Sequence, residues 1–225
     1  MDRGKTIQIY LPDGNPKGVK IAEITTSIGK AIFIPRSKIN DVSNRSELQG
    51  VGIYFLLGEA NELGQHIVYI GEAETLIKRL KQHNTSSKEF WNVAIAFMSE
   101  KNNLNKAHVK FLENFCCNKA KEINRCELEN SVNPTKSTIT ESEEDFVLSF
   151  FDDLKVLLSA LRYQIFEEIK KERGKQTYFC KSKFANAQGE YTEEGFVVFK
   201  GSKANKEGTP AFETTNWPKI RQKLI

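Results

Sequence analysis

Short runs of alternating apolar and polar residues begin the chain. Residues 6–11 read TIQIYL, and residues 19–24 and 30–34 show a similar strand-like pattern. A stretch dense in Pro, Gly, Asp and Asn at residues 12–18 separates the first two runs and indicates a turn. We therefore predict a small antiparallel ribbon over residues 6–35, followed by a polar connector.

The middle of the chain combines strand and helix patterns. Residues 52–57 and 66–70 are rich in β-branched and aromatic side chains, and the polar, glycine-containing loop between them predicts a hairpin. The spacing of apolar residues then predicts a helix over residues 74–82, a third strand over residues 91–98 and a longer helix over residues 105–122.

The remainder of the chain changes from helical to strand-like periodicity. Thr140 with Glu143 forms a capping pattern, and apolar residues at helical spacing follow through residues 146–169. Strand-like runs begin at Tyr178, with turn-forming residues at 186–189. Together the patterns predict an α+β protein in four segments: a ribbon and connector (1–47), a three-stranded sheet with helices (48–136), a helical connector (137–170) and a small β-rich domain (171–225).

Composition narrows the class of protein. The chain has 225 residues, of which 39% are hydrophobic and 28% are charged, so a disordered or collagen-like chain is excluded. No apolar run approaches the roughly 18 residues that span a bilayer, and no apolar stretch of a signal peptide follows the first residues. The four cysteines lack the spacing of a disulfide framework or a zinc site. We therefore expect a cytoplasmic protein without a membrane partner.

Charge is uneven along the chain. The net charge is +4, but residues 137–170 carry 3 basic and 8 acidic residues, whereas residues 171–225 carry 11 basic and 6 acidic residues. A basic terminal segment can bind a polyanion, because neutralised phosphates release counterions. A solvated, lysine-rich surface has the same composition, so charge alone leaves both interpretations open.

A set of chemically capable side chains falls at ordered positions in the middle of the chain. Gly52-Ile53-Tyr54 lies on the first predicted strand of the hairpin, and Tyr69-Ile70-Gly71 lies on the second. Each residue alone is common in packed strands and solvated helices. The positions that follow, on the two predicted helices and in a later loop, are Arg79, His83, Glu113 and Asn130.

In this order and on these elements, the residues resemble the GIY-YIG nuclease family over residues 48–136. The resemblance implies a three-stranded antiparallel sheet flanked by helices, and metal-dependent hydrolysis of DNA phosphodiester bonds. Such hydrolysis needs a water molecule in line with the leaving oxygen and compensation of the charge that builds on the phosphate. Mg²⁺ or Mn²⁺ can supply that compensation, and Mg²⁺ takes few protein ligands, so one carboxylate can suffice.

The resemblance also implies a role for the main site residues. Glu113 is the expected metal ligand, and Arg79 is the expected partner of the scissile phosphate, to which a guanidinium makes two parallel hydrogen bonds. Tyr54 and Tyr69 are expected to face one cleft, where one of the two phenols orients or deprotonates the attacking water. The sequence does not decide which one. Because an unperturbed tyrosine has a pKa near ~10, that phenol needs help from the cation, Arg79 or a histidine.

Further positions extend the resemblance, and one departs from it. His83 could assist the base or contact phosphate, Asn130 matches an asparagine that helps to hold the active site, and Gly71 belongs to the expected substrate-binding surface. Glu72 stands where the repair nucleases of the family carry Lys. It is either a second acidic contribution to the metal or simply an exposed glutamate.

The final segment carries a second resemblance. Gly195-Phe196-Val197-Val198 and residues 200–203 resemble a small domain of unknown function that is often appended after GIY-YIG modules, over about residues 171–225. Lys203 is an expected substrate contact there. The interspersed aromatic residues either stack on nucleic-acid bases or form the core of a plain β module; they are Tyr178, Phe184 and Trp217.

The sequence thus predicts a cytoplasmic DNA endonuclease that uses Mg²⁺ or Mn²⁺. Two alternatives stay open: a nucleic-acid-binding protein on the same fold that has lost turnover, and a scaffold subunit of a larger complex. The N-terminal ribbon could extend the catalytic sheet, clamp DNA or contact a partner.

Overall fold

The computed structural model divides the chain into two units, Met1–Glu167 and Glu168–Ile225, and each is described by itself. Among the residues that the structure describes, both units contain strands and the first also contains three α-helices, so the predicted α+β class is confirmed. The structure describes residues 4–61, 65–86, 89–99, 103–168, 176–183, 185–192, 195–199 and 201–203.

One seven-stranded sheet forms the centre of the first unit. Its strands are β1 (Ile7–Tyr10), β2 (Lys20–Ile24), β3 (Gly29–Pro35), β4 (Gly52–Ala60), β5 (His66–Ala73), β6 (Trp91–Ser99) and β7 (Cys126–Leu128). They lie in the order β1-β2-β3-β6-β4-β5-β7. Neighbouring strands are antiparallel, except that β5 and β7 are parallel.

The predicted three-stranded sheet is therefore too small, because the N-terminal ribbon continues it. Strand β3 pairs with β6 along its whole length, from Gly29 opposite Ser99 to Pro35 opposite Val93. Ala31, Ile32 and Ile34 of β3 are completely buried. A strand that is apolar on both faces needs cover on both sides, which explains why the ribbon joins the sheet. Of the three roles left open for the ribbon, extension of the sheet is the one observed.

Three helices cover the sheet: α1 (Leu76–Thr85), α2 (Lys106–Ile123) and α3 (Glu141–Ala160). The predicted cap of α3 is confirmed, since Thr140 accepts a hydrogen bond from the backbone of Glu143 and the Glu143 carboxylate accepts one from the backbone of Thr140. The predicted helical run to residue 169 is too long. Helix α3 ends at Ala160, and Arg162 follows with a left-handed φ of 73°.

Two cores form because successive side chains of a strand point to opposite faces. Helix α1 packs on one face, where Tyr54 and Leu56 of β4 meet Leu76 and Leu80. Helices α2 and α3 pack on the other face, and the residues buried there include Ile53, Phe55, Ile70, Phe111, Leu112, Phe151 and Leu154.

The second unit contains a three-stranded antiparallel sheet. Its strands are β8 (Tyr178–Lys181), β9 (Asn186–Thr192) and β10 (Gly195–Val198), with β9 in the centre. The turn predicted at residues 186–189 is wrong, because these residues form the first half of β9 and pair with both neighbours. Glycine is required at residue 189 of this strand, because a Cβ atom there would lie 2.8 Å from two ring atoms of Phe196.

No helix in the part of the chain that the structure describes is both long and apolar enough to cross a membrane.

Candidate active site

Tyr54 and Gly71 lie directly opposite each other on β4 and β5. A Cβ atom added to Gly71 would collide with the hydroxyl end of the Tyr54 ring and would lie 3.0 Å from its Cε1 atom. Only glycine therefore leaves room for the Tyr54 phenol to cross the neighbouring strand. The two predicted tripeptides are thus physically coupled.

The Tyr54 hydroxyl is held by two side chains of α1. It lies 2.8 Å from Nε2 of His83 and accepts a hydrogen bond from Nε of Arg79 at 3.3 Å. The Tyr54 side chain is 0% exposed. This corrects the expectation that both phenols face an open cleft, because Tyr54 has no access to solvent.

Tyr69 is partly accessible to solvent, whereas Tyr54 is not. Its half-buried ring lies 6.2 Å from the ring of Tyr54 and 5.3 Å from that of His83, measured between centroids. The pKa of Arg79 is raised, most of all by its hydrogen bond with Tyr54. The Tyr69 phenol, which also interacts with the guanidinium, raises this pKa further. We call Tyr54, Tyr69, Arg79 and His83 the tyrosine cluster.

Helix α1 positions Arg79 and His83 because residues four apart lie on the same side of a helix. Its apolar residues Leu76, Ile77 and Leu80 are buried against the sheet, which fixes the rotation of the helix. Arg79 is exposed and also donates from Nη1 to Oε1 of Gln82 at 3.2 Å. The guanidinium is therefore held at one end and open to solvent.

Asn130 holds the strand that carries Tyr69. Its Oδ1 atom accepts from the Ile70 amide at 3.0 Å, and its Nδ2 atom donates to the Ile70 carbonyl at 2.8 Å. These bonds continue the pairing of β5 with β7, which ends at Val68 opposite Leu128. Asn130 contacts the backbone of Ile70, next to Tyr69, and its expected role in holding an active site stays a prediction.

Glu113 of α2 reaches the same end of β5. In the described part of the chain, no strand pairs with the outer edge of β5 after Ile70. The half-buried Glu113 carboxylate lies close enough to Glu72, Arg79 and Tyr54 for their charges to act on one another. The structure therefore brings the predicted carboxylate to the tyrosine cluster.

Burial raises the pKa of both Glu113 and Tyr54. Burial and then the Glu72 carboxylate raise the pKa of Glu113 to about 7, against smaller lowering effects of the Glu72 backbone, Arg79 and Lys110. Burial and then Tyr69 raise the pKa of Tyr54, and the hydrogen bond from Arg79 only partly opposes this. Tyr54 is therefore held as a neutral phenol.

The oxygen atoms near Glu113 suit a hard divalent cation. Glu72 is half-buried and lines the pocket beside Arg79, so it is more than a freely exposed surface glutamate. The mutual repulsion of Glu72 and Glu113 would be relieved by a cation between them. The described residues contain no group of three or more His, Cys, Asp and Glu side chains able to hold a metal. A site here would thus resemble Mg²⁺ sites that keep several water ligands.

An open pocket of about 280 Å³ adjoins the cluster. Lys78, Gln82 and Lys106 are lining residues that the sequence reasoning missed. The helical spacing of Lys78 and Gln82 beside Arg79 could have identified two of them. Lys106 forms an ion pair with Glu74 at 2.7 Å, so the rim carries charge of both signs.

The remaining predicted residues belong to the second unit. Lys203 is exposed, and its backbone pairs with Asn186 at the start of β9. Its predicted contact with substrate stays a prediction. Tyr178 is 41% exposed, which does not fit the interior of a β module. Phe184 and Trp217 lie outside the described residues.

Comparison with known proteins supports the second unit only. Residues 178–225 match the family model described as Domain of unknown function (DUF4357), which agrees with the resemblance of the final segment. Residues 48–136 match no GIY-YIG family model. No curated protein and no solved structure matches the chain.

Proposed function

We propose that the first unit is a GIY-YIG-type endonuclease that hydrolyses DNA phosphodiester bonds with Mg²⁺ or Mn²⁺. The observation that carries the proposal is the convergence of the tyrosine cluster with the Glu113 carboxylate at the open end of β5. Four separate elements bring polar groups to this place: two phenols, a guanidinium, an imidazole and a carboxylate. Packing of the core alone does not require so many polar groups together. Each matches a position of the family motif.

Arg79 binds the scissile phosphate in this proposal. Its Nε atom is bonded to Tyr54 and its Nη1 atom to Gln82, so the orientation of the guanidinium is set before substrate arrives. Its exposed position on the pocket wall leaves the group accessible to a phosphate oxygen. A guanidinium retains its charge at any physiological pH, as a phosphate partner requires.

Tyr69 orients or activates the attacking water, and Tyr54 is a positioning residue. A fully buried hydroxyl that is already shared with His83 and Arg79 cannot also contact a water molecule in the pocket. Tyr69 is half-buried rather than sealed, so its phenol can meet a water molecule beside Arg79, whose positive charge suits stabilisation of the phenol oxygen as a proton moves. His83 is buried and supports both rings, so it assists rather than binds phosphate.

Glu113, aided by Glu72, would hold the divalent cation. When bound, the cation supplies compensation of the negative charge on the phosphate. Burial and the Glu72 carboxylate raise the pKa of Glu113 more than Arg79 and Lys110 lower it, so a bound cation would favour the ionised carboxylate by offsetting both causes. The presence of Glu72 in place of Lys adds to the acidic character of the site.

Nicking of supercoiled plasmid tests the proposal. We expect Mg²⁺- or Mn²⁺-dependent nicking by the unmodified chain, and a loss of at least about 100-fold in Arg79→Ala, Tyr69→Phe and Glu113→Gln, in line with removal of a single charge-stabilising group. Glu122→Gln is the matched control, since Glu122 lies exposed on the same helix and pairs with Lys119.

The outcomes separate the proposal from its alternatives. Equal nicking by all variants would show that the activity arises elsewhere. Absence of nicking with retained DNA binding would favour the non-cutting protein on the same fold. Absence of both would favour a scaffold role.

A further inference from the structure

Arg36 lies outside residues 48–136, yet its guanidinium joins two elements that flank the tyrosine cluster. It is the first residue after β3. Its Nε atom donates to Oδ1 of Asn84 at 3.1 Å, in the last turn of α1. Its Nη1 atom donates to the backbone carbonyls of Trp91 at 3.2 Å and Glu89 at 3.4 Å. One side chain thus ties the end of α1 to the start of β6.

The same guanidinium lies over the indole ring of Trp91. The Cζ atom of Arg36 is 4.6 Å from the ring centroid, and Trp91 itself is completely enclosed by the core of this face. A planar guanidinium can cover an aromatic face and donate hydrogen bonds from its edge at the same time. Because Arg36 makes both kinds of contact, its orientation relative to α1 and β6 is fixed.

The N-terminal ribbon sets the place from which Arg36 reaches α1. Pro35, the residue before Arg36, lies opposite Val93 at the end of the pairing between β3 and β6. The preceding residue, Ile34, is completely buried and anchors this end of the strand. The contact with α1 therefore depends on a part of the chain that the resemblance to the nuclease family does not cover.

The helix end that Arg36 holds carries His83. His83 directly precedes Asn84, is buried, and places its Nε2 atom 2.8 Å from the Tyr54 hydroxyl. The buried apolar residues of α1 fix the rotation of the helix, but apolar burial is non-directional and tolerates sliding along the helix axis. Hydrogen bonds are directional. Those of Arg36 therefore hold the axial position that keeps His83 against Tyr54.

We propose that Arg36 is a positioning residue of the candidate active site, which holds the end of α1 so that His83 meets the hydroxyl of Tyr54. Arg36 is not among the residues that line the pocket, so it acts through α1 rather than on a substrate. Its effect on nicking rests on the proposed function of the first unit, whereas its effect on His83 does not.

NMR of the histidine rings in the full chain tests the positioning without any nuclease activity. The chain has three histidines, so His66 and His108 serve as internal references. We expect Arg36→Met to move the His83 ring signal towards its position in Tyr54→Phe, where the hydroxyl partner is missing, and to leave the other two signals unchanged. Arg36→Lys should move it as well, because one ammonium replaces neither the fork of donors nor the stacking.

Nicking kinetics test the consequence for the reaction. We expect Arg36→Met to lower kcat about 10- to 100-fold, in line with the cost of a small misplacement of reacting groups, and to leave KM unchanged because the pocket wall is intact. Asn84→Ala removes one acceptor only, so it should lower kcat by less. In the Arg36→Met protein, Asn84→Ala should add no further loss, because the two residues act as a unit.

Arg45 offers a matched control. Like Arg36 it is half-buried in the segment between β3 and β4, but it pairs with Glu47 at 3.7 Å. Arg45→Met should leave the His83 signal and kcat unchanged. Urea unfolding of each variant shows that folded proteins are compared. If Arg36→Met does not fold, Asn84→Ala decides, because it keeps Arg36 over the Trp91 ring.

Several results would overturn the proposal. An unmoved His83 signal in Arg36→Lys and Asn84→Ala would show that the end of α1 does not depend on Arg36. Full kcat in Arg36→Lys would show that charge alone is needed, and an equal loss in Arg45→Met would show a general loss of stability. A chain that never nicks plasmid yet shows the His83 shift would leave this proposal standing and the nuclease proposal rejected.

Discussion

The two units each place an aromatic ring on a glycine of the neighbouring strand, but to opposite effect. Tyr54 crosses Gly71 into a buried position, where His83 and Arg79 share its hydroxyl. Phe196 rests on Gly189 and stays half exposed beside the rings of Tyr178 and Tyr191. A glycine beneath an aromatic ring thus fixes a polar hydroxyl in the first unit and leaves an apolar ring exposed in the second. Burial, rather than residue type, decides between these outcomes.

The largest effect is expected when the glycine of the first unit is replaced. Gly71→Ala forces the buried Tyr54 phenol to move, which should destabilise the protein by about 1–3 kcal/mol and abolish nicking because Arg79 loses its anchor. Urea unfolding and plasmid nicking measure both effects.

Gly189→Ala is the matched change in the second unit. Its new carbon would meet the Phe196 ring and the Val197 carbonyl. We expect Gly189→Ala to destabilise the protein by about 1–3 kcal/mol in urea unfolding, with nicking unchanged. Equal nicking by Gly71→Ala and the unmodified chain would contradict the coupling between the two tripeptides.

A smaller effect distinguishes the two tyrosines of the first unit. Tyr54→Phe removes the shared partner of His83 and Arg79, so we expect a loss of about 1–3 kcal/mol in the free energy of unfolding. Tyr69→Phe should change stability by less than about 0.5 kcal/mol, as is usual for partly exposed positions, yet stop nicking. Full activity of Tyr69→Phe together with inactive but stable Tyr54→Phe would reverse the assigned roles.

The smallest effect concerns charge at the tyrosine cluster. The folded protein holds the Glu113 proton more tightly than the unfolded chain, since the pKa of Glu113 is about 7 rather than 4.5. Stability should therefore fall as pH rises from about 4.5 to 7 and then level off. In EDTA, Glu113→Gln should be the more stable protein above pH 7 by about 1–2 kcal/mol after allowance for solvent screening, and equal to the unmodified chain near pH 4.

Thermal unfolding across this pH range measures the difference, with Glu122→Gln as the control. Addition of Mg²⁺ at pH 7.5 should raise the unfolding temperature of the unmodified chain and not that of Glu113→Gln. A pH-independent difference between the two proteins would show that Glu113 ionises as an ordinary surface carboxyl.

Local periodicity predicted most helices and strands, because each pattern is set by near neighbours in the chain. The cap at Thr140 and the hairpin of β4 and β5 are examples. Strand β7 was missed, since three residues are too short to show a period and its parallel pairing with β5 depends on residues far apart in sequence. The pairing of β3 with β6 likewise depends on residues far apart in sequence.

The candidate site shows the same limit. The ordered motifs named residues that the structure brings together, among them Tyr54, Tyr69, Arg79 and His83, and a function for these residues stays a prediction. The motifs did not predict that Tyr54 is completely buried while Tyr69 is only half-buried, because burial depends on how α1 packs over the sheet. Nor did they decide the role of Glu72, whose effect on Glu113 arises only when α2 approaches the open end of β5.

The pairing of β3 with β6 has a practical consequence for anyone who isolates residues 48–136. A fragment that begins at residue 48 would strip β3 from β6 and leave a long row of unpaired amide and carbonyl groups beside apolar side chains. Ending it at residue 136 would also remove α3 from the core. Such a fragment presents a bare sheet edge of the kind that templates aggregation, whereas the unit Met1–Glu167 keeps both β3 and α3.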